Sequence, residues 1–273
     1  MKDLIVHVDN SASCATRIGL AARLAKSFDA HLVGVYAQSP PFMPTGEEPL
    51  ESLEAVAVAA PESMEYDPQI LRSEEKAAER AFRTIISKHK IVAQWQTMVG
   101  AAADVVVAFS RFTDMVLVGQ TAPAGEDLAG EVALRSGRPV LVIPDAGSAP
   151  SSIESVLVAW DASREAARAL HDALPLLQRA TQVTVLSVGP AEKELPGIDI
   201  GEHLKRHGIQ ARFVQANDAE LNAGPAVLAQ ANELACDLIV MGAYGHSKLR
   251  ERVLGGTTYY VLKHMITPLL IAH

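Results

Sequence analysis

The chain is poor in cysteine and in aromatic residues, and it has no long apolar run. Its two cysteines, Cys14 and Cys236, lie far apart and form no CxxC or Cys/His spacing, which excludes a disulfide framework and a zinc site of the usual patterns. No apolar run approaches the roughly 18 to 20 residues that span a bilayer. The sequence therefore predicts a cytoplasmic protein with no metal site and no membrane partner.

Basic residues are outnumbered by acidic ones. The 273 residues include 24 Lys and Arg against 32 Asp and Glu, which gives a net charge of −8 and a pI near 5.6. Such a chain lacks the basic excess that neutralises the phosphates of a polynucleotide, so no nucleic-acid partner is expected. The net negative charge does not exclude a small anionic ligand, because local backbone dipoles can hold it. Hydrophobic residues, at 49%, suffice for a globular core.

The usual catalytic motifs are absent as well. The sequence contains no GxSxG elbow, no GxxxxGKS/T loop, no HExxH pair and no paired-carboxylate pattern. We therefore predict no catalytic residue and a protein that is not an enzyme. Slow hydrolysis of a bound nucleotide stays compatible with this sequence, since it needs only a positioned water.

What the sequence does contain is an internal repeat. Three segments of the first half recur in the same order in the second half, the first of them an apolar run followed by Asp, a spacer and Ser. The matched pairs are 4–11 with 156–163, 114–119 with 237–242, and 138–143 with 267–272. Two homologous halves follow from this order. Because a small, polar stretch separates them, we predict two domains, 1–147 and 151–273.

Within each half, short apolar strands alternate with longer helical patterns. Continuous Val, Ile and Leu runs are typical of strands that helices cover on both faces. The predicted fold is α/β, with two tandem doubly wound parallel-sheet domains. Strands are predicted at 3–8, 31–36, 92–98, 114–118, 139–143, 155–160, 182–188, 210–214, 237–241 and 268–272, and second-half helices at 163–179, 198–207, 224–235 and 256–265.

A proline-rich, acidic segment at 38–70 interrupts the pattern of the first half. Long loops of this composition are usually mobile surface insertions, which is the expectation here. A segment that docks a partner protein is the alternative.

Glycines and hydroxyl side chains cluster after one strand of the second half. Gly242 and Gly245 follow the strand at 237–241, and nine residues later Gly255, Gly256, Thr257 and Thr258 begin a helix. Glycine lets backbone N–H groups approach phosphate oxygens, and a helix N-terminus adds unpaired donors and a favourable dipole. The cations among the intervening residues 246–252 either screen phosphate or form a solvated loop. The pattern favours a phosphate-binding crevice at the carboxyl ends of the strands.

Asp161 ends the first strand of the second half. Its carboxylate can accept hydrogen bonds from a ligand, or it can cap the following helix together with Ser163. The first half keeps the corresponding Asp9 but has Ala122 where the second glycine would stand, and Glu126 and Asp127 would repel phosphate. We expect the first half to pack against its sibling.

Asp161, the Gly242-x2-Gly245-x9-Gly255 spacing and the final Pro268-Leu269-Leu270-Ile271 run resemble the nucleotide-binding universal stress proteins, and the repeat resembles their tandem form. The resemblance covers nearly the whole chain. It implies a Rossmann-like, adenine nucleotide alpha hydrolase-like fold. It also implies a stress-response protein that binds ATP or another adenine nucleotide, with or without magnesium, in its C-terminal domain as a sensor or regulatory module.

The resemblance also assigns roles to residues. It places Asp161 and Val188 against adenosine, and Ala159 and Met241 along the pocket. The remaining predicted ligand residues, which hold phosphates and ribose or lie at the same helix start, are Gly242, Gly245, Gly255, Gly256, Thr257 and Thr258. In the family pattern Ser or Thr follows the third glycine directly. Gly256 stands there in this chain, so the hydroxyl is displaced to Thr257 or the helix start is shifted.

Pairing of the last strands is a further implication of the resemblance. Residues 139–143 and 268–272, each beginning with proline, are the expected seam of an intrachain pseudo-dimer with pseudo-twofold symmetry, because an exposed final strand must be paired or covered. Two chains could also associate further as a homodimer. The alternative function is a stress scaffold that binds no nucleotide and acts through contacts with an unidentified protein partner.

Overall fold

The computed structural model describes residues 1–38, 68–120, 127–146, 149–189, 199–216, 222–244 and 256–273. Most of the predicted insertion at 38–70 lies outside these residues, but Pro68 already belongs to a helix. Within the described ranges no helix combines the length and the apolar character needed to cross a membrane.

The first half alternates strands with helices. Its elements are β1 (Asp3–Val8), α1 (Cys14–Phe28), β2 (His31–Gln38), α2 (Pro68–His89), β3 (Ala93–Val99), α3 (Ala102–Ser110), β4 (Met115–Gly119), α4 (Leu128–Ser136) and β5 (Val140–Ile143).

The second half repeats this order. Its elements are β6 (Ser155–Ala159), α5 (Arg164–Leu177), β7 (Gln182–Val188), α6 (Ile200–Arg206), β8 (Ala211–Ala216), α7 (Ala223–Glu233), β9 (Leu238–Gly242), α8 (Gly256–His264) and β10 (Leu269–Ala272). Each predicted strand has its counterpart in the structure, and the α/β fold class is confirmed.

All the strands join one ten-stranded sheet with the order β3-β2-β1-β4-β5-β10-β9-β6-β7-β8. Neighbours are parallel except at the centre, where β5 and β10 pair antiparallel with Leu141 opposite Leu270. The seam therefore lies where the sequence predicts it, between the last strands of the two halves. Since these strands hydrogen-bond to each other, the two predicted sheets are one continuous sheet.

Helices cover both faces of this sheet. Leu4 and Val6 of β1 belong to one hydrophobic core and Ile5 to the other, because successive side chains of a strand point to opposite faces. The first core contains Ile18 of α1, Phe82 of α2, Leu170 of α5 and Leu204 of α6. The second contains Val105 of α3, Val132 of α4, Val227 of α7 and Val261 of α8. Burial on both faces explains why the central strands β4, β5 and β10 are apolar along their whole length.

Candidate functional site

The carboxyl ends of β6 and β9 in the second half form the place that we call the C-terminal crevice. Strand β6 pairs with β7 on one side and with β9 on the other, all parallel. After β6 the chain continues to β7, and after β9 it continues to β10, which lies on the other side, so the strand order reverses between β6 and β9. In open α/β sheets ligands bind at such a point. Asp161 follows β6, Ala243 and Tyr244 follow β9, and Gly256 begins α8.

Asp161 holds a turn at this edge and does not cap the following helix. Its Oδ1 accepts a hydrogen bond from the Ser163 N–H at 3.0 Å, around Ala162, which has a left-handed φ of 49°. The cap of α5 is Ser163, whose Oγ accepts from the Ala166 N–H at 3.1 Å. Asp161 is exposed, and its Oδ2 has no hydrogen-bond partner among the described residues. That oxygen is free to accept a hydrogen bond from a ligand.

Gly242 lies where β9 meets the first turn of α5. A Cβ on this residue would lie 2.5 Å from the Ala166 nitrogen and 2.6 Å from the Glu165 carbonyl carbon. Both are backbone atoms that cannot move aside alone. Gly242 thus permits a close approach of strand and helix, a packing role that the sequence pattern did not distinguish from phosphate binding.

In the first turn of α8, Thr258 contacts the end of β9, whereas Gly256 and Thr257 do not share this contact. Thr258 is only 6% exposed, and its Oγ1 accepts a hydrogen bond from the Tyr244 N–H at 3.2 Å, so this side chain holds the end of β9. Thr257 is half-buried, and a Cβ on Gly256 would meet no atom of the described residues within 4 Å. Gly256 therefore leaves space at the start of the helix as far as the described residues go.

The remaining predicted ligand residues differ in their surroundings. Ala159 and Val188 are half-buried and pack at the rim of the second core, whereas Met241 is buried within it. Met241 can therefore line a pocket through its backbone but not through its side chain. Gly245, Gly255 and the cationic segment 246–252 lie outside the described residues.

The corresponding place in the first half is filled by the chain itself. Asp9 is 8% exposed, and its Oδ2 lies 2.8 Å from Nη2 of Arg17, whose side chain is wholly buried. The Nδ1 of His7 lies 3.6 Å from the same oxygen. Burial alone would raise the pKa of Asp9, but Arg17 and the hydrogen bonds from Ser11 bring it below its usual value. Asp9 is thus an ionised carboxylate committed to an internal partner.

The two halves differ at one aligned position. When Asp9 is aligned with Asp161, Arg17 is aligned with Ala169, which is buried and apolar. Arg17 was not among the predicted functional residues. The sequence does contain a clue to its role: Arg17 is a single arginine among the small and apolar residues 14–22. A helix buries such residues against a sheet.

Three further residues at the crevice escaped the sequence analysis. His273 Nδ1 lies 2.9 Å from the Ala243 carbonyl oxygen, and the Tyr244 hydroxyl donates a hydrogen bond to Asp127 Oδ2 at 3.0 Å. Glu165 is 5% exposed beside Gly242. Within the part of the chain that is described, no group of three His, Cys, Asp or Glu side chains is placed to hold a metal ion.

The second half of the chain matches a known protein family. Residues 152–273 match the sequence model described as "Universal stress protein family", and no curated protein matches the chain significantly. A universal stress protein from Archaeoglobus fulgidus DSM 4304 is similar over 99% of this chain and 95% of its own, with 15% identity and a TM-score of 0.74.

Two structures from Pseudomonas aeruginosa are also similar along the full length. A putative universal stress protein from strain UCBPP-PA14 is 11% identical with a TM-score of 0.63, over 100% of this chain and 93% of its own. A functionally unknown protein from strain PAO1 is 12% identical with a TM-score of 0.62, over 100% and 92%. At these identities the likeness concerns the fold.

Proposed function

The chain carries a universal stress protein domain over residues 152–273, and on that premise we propose that this half binds an adenine nucleotide, ATP or a related one. The protein would act as a sensor or regulatory module of a stress response, with no catalytic residue assigned. We propose residues 151–273 as the ligand-binding domain and 1–147 as its companion domain.

The observation that carries the proposal is the difference between the two equivalent aspartates. Asp9 is buried against Arg17 at 2.8 Å, whereas Asp161 is exposed and keeps one carboxylate oxygen without a partner among the described residues. Of the two equivalent aspartates, Asp161 is therefore the one that, among the described residues, has a carboxylate oxygen available to a ligand.

The open crevice offers groups for both parts of a nucleotide. Asp161 Oδ2 can accept from ribose hydroxyls or an adenine N–H, and Ala159 and Val188 give an apolar rim beside it. Gly256 and Thr257 offer backbone and hydroxyl donors at the N-terminus of α8, where the helix dipole favours phosphate.

The other predicted ligand residues have supporting parts in this proposal. Gly245 and Gly255 would extend the phosphate cradle, and Met241, Gly242 and Thr258 would form its floor. A magnesium ion, where present, would be held mainly by the phosphates, as is usual for this ion.

The test is calorimetric titration of the full chain with ATP, ADP, AMP and adenosine. Asp161→Asn keeps the Oδ1 acceptor for Ser163 and replaces the open oxygen by a donor, so we expect nucleotide affinity to fall about tenfold, the loss of one hydrogen bond. The matched control Glu202→Gln removes an exposed carboxylate of α6 and should bind as the wild type does. The proposal is wrong if the wild-type chain shows no saturable binding at millimolar nucleotide.

A scaffold without bound nucleotide is the second candidate. Phe112 and Val92 are 85% and 89% exposed, and both lie just before strands of the first half. Large exposed apolar side chains occur at protein interfaces. Failure of every nucleotide in the titration, together with weaker partner binding by Phe112→Ser, would support this function instead.

A further inference from the structure

A tyrosine of the C-terminal crevice reaches into the N-terminal half. The Tyr244 hydroxyl donates to Oδ2 of Asp127 at 3.0 Å, across 117 positions of sequence. The other carboxylate oxygen, Oδ1, accepts from the Gly130 N–H at 2.9 Å and caps helix α4. One carboxylate therefore starts a helix in the first half and holds a side chain of the second.

Gly130 makes room for this contact. A Cβ on Gly130 would overlap the Tyr244 hydroxyl oxygen and Asp127 Oδ2. The tyrosine hydroxyl thus lies in space that a side chain at position 130 would fill. The contact requires a glycine in α4, at a helical position where glycine is otherwise unfavourable.

The backbone of Tyr244 is held at the same time. Its φ is +57°, a left-handed conformation that is uncommon for a bulky residue and persists where the surroundings impose it. Its N–H donates to Oγ1 of the buried Thr258 at 3.2 Å. On the preceding residue, the Ala243 N–H donates to the Ala272 carbonyl at 2.8 Å.

Tyr244 keeps its proton under ordinary conditions. Burial raises the pKa of its hydroxyl, and the nearby Asp127 charge raises it further. The hydroxyl is therefore a hydrogen-bond donor to a carboxylate across the physiological range, and such charge-assisted bonds are stronger than neutral ones.

We infer that Asp127 is a positioning residue of the C-terminal crevice: through Tyr244 it fixes the backbone at 243–244 and the first turn of α8. The inference rests on the proposed function and deepens it, because the first turn of α8 is where we propose that phosphates bind. It gives the N-terminal half a part in ligand binding, although the sequence predicted only packing for this half and repulsion of phosphate for Asp127.

Three substitutions separate this role from helix capping. Tyr244→Phe removes the hydroxyl and nothing else. Asp127→Ser keeps a good capping side chain that is too short to reach the tyrosine. Asp127→Asn can cap through Oδ1 and donate through Nδ2 to the tyrosine oxygen, so it is the conservative variant. Glu131→Gln removes an exposed carboxylate of the same helix and is the matched control.

The readout is the affinity of the full chain for ATP compared with adenosine. We expect Tyr244→Phe and Asp127→Ser each to weaken ATP binding about fivefold to tenfold, as loss of one charge-assisted bond predicts, and to leave adenosine binding within about twofold. Asp127→Asn and Glu131→Gln should bind ATP as the wild type does. The double variant Tyr244→Phe, Asp127→Ser should be no weaker than either single variant, because both remove the same contact.

Amide hydrogen exchange without ligand measures the positioning directly. Exchange at 240–244 and 256–262 should be faster in Tyr244→Phe and Asp127→Ser than in Glu131→Gln. If the wild type binds ATP and these two variants bind it equally well with unchanged exchange, the positioning role is refuted and the proposed function stands. If the wild type binds neither ligand, the proposed function is refuted, and the exchange rates alone decide whether Asp127 fixes this backbone.

Discussion

Replacing Arg17 by methionine tests whether the buried Asp9 carboxylate depends on a single partner. The Arg17 side chain has no exposed surface, its Nη2 lies 2.8 Å from Asp9 Oδ2, and its Nε donates to the His7 carbonyl at 2.8 Å. Methionine fills a similar volume without the charge. The substitution therefore leaves an ionised carboxylate, 8% exposed, with no cation beside it.

The cost of an uncompensated buried charge is about 3–5 kcal/mol, and we expect this loss in the free energy of unfolding at pH 7. Asp9→Asn in the same chain removes the charge and keeps an oxygen for the Ser11 N–H, which lies 3.0 Å away. Since an ion pair replaced as a whole by neutral groups costs little, the double variant should recover most of the loss. A coupling energy of at least about 2 kcal/mol follows.

Urea denaturation of the wild type, both single variants and the double variant measures these energies. The direction in which the stability loss changes with pH is a second, independent check. In the wild type the pKa of Asp9 is lowered, so its stabilisation is present above the unfolded pKa and is lost as the pH falls through the folded value. Without Arg17, burial raises this pKa, so the deficit of Arg17→Met should shrink from pH 7 to pH 5. A deficit below about 1 kcal/mol at pH 7, or one that grows on acidification, would refute the reasoning.

Four further predictions concern single substitutions. Burial and the nearby Arg17 lower the pKa of His7 from 6.5 to about 4, so stability should fall by about 3 kcal/mol as the pH drops from 6.5 to 4, and urea titrations should show this slope reduced in His7→Leu. Gly242→Ala should lower the free energy of unfolding by about 3 kcal/mol because its Cβ would meet backbone atoms at 2.5 and 2.6 Å. A Cβ on Gly256 would meet no described atom within 4 Å, so Gly256→Ala should change the free energy of unfolding by less than about 1 kcal/mol. Gly256→Ser restores a hydroxyl directly after the third glycine and should strengthen ATP binding about threefold or more in calorimetry.

The central strands were predictable because the residues that form them are buried on both faces. Leu4, Ile5 and Val6 belong alternately to the two cores, so the apolar run of β1 marks most of the strand. The family resemblance then predicted that β5 and β10, the last strands of the two halves, pair with each other, and they do. The ends of elements were predicted less closely, as for α6, which begins at Ile200 and not at 198, because capping geometry sets them locally.

The contacts that define the crevice were not predictable in this way. Tyr244 and Asp127 are 117 positions apart, and neither residue type indicates a partner at that distance. Arg17 lies on a helix, where an arginine is usually exposed, and only its apolar neighbours suggest otherwise. Gly242 was recognised as part of a motif, but the close approach of Ala166 that requires a glycine depends on how α5 packs on β9.

Gln120, directly after β4, and Tyr244, shortly after β9, each hydrogen-bond to the opposite half. Gln120, directly after β4, donates from Nε2 to the Leu262 carbonyl at the end of α8 at 2.7 Å, while Tyr244 crosses in the other direction to the start of α4. Each half therefore holds the helix of the other half that follows the equivalent strand. Asp9 is already paired with Arg17, which is why we propose the ligand site in the second half. A displacement of α8 by a ligand at that proposed site would also disturb the Gln120 hydrogen bond. The N-terminal half thus pairs its aspartate internally and makes a direct contact with the helix of the proposed site in the other half.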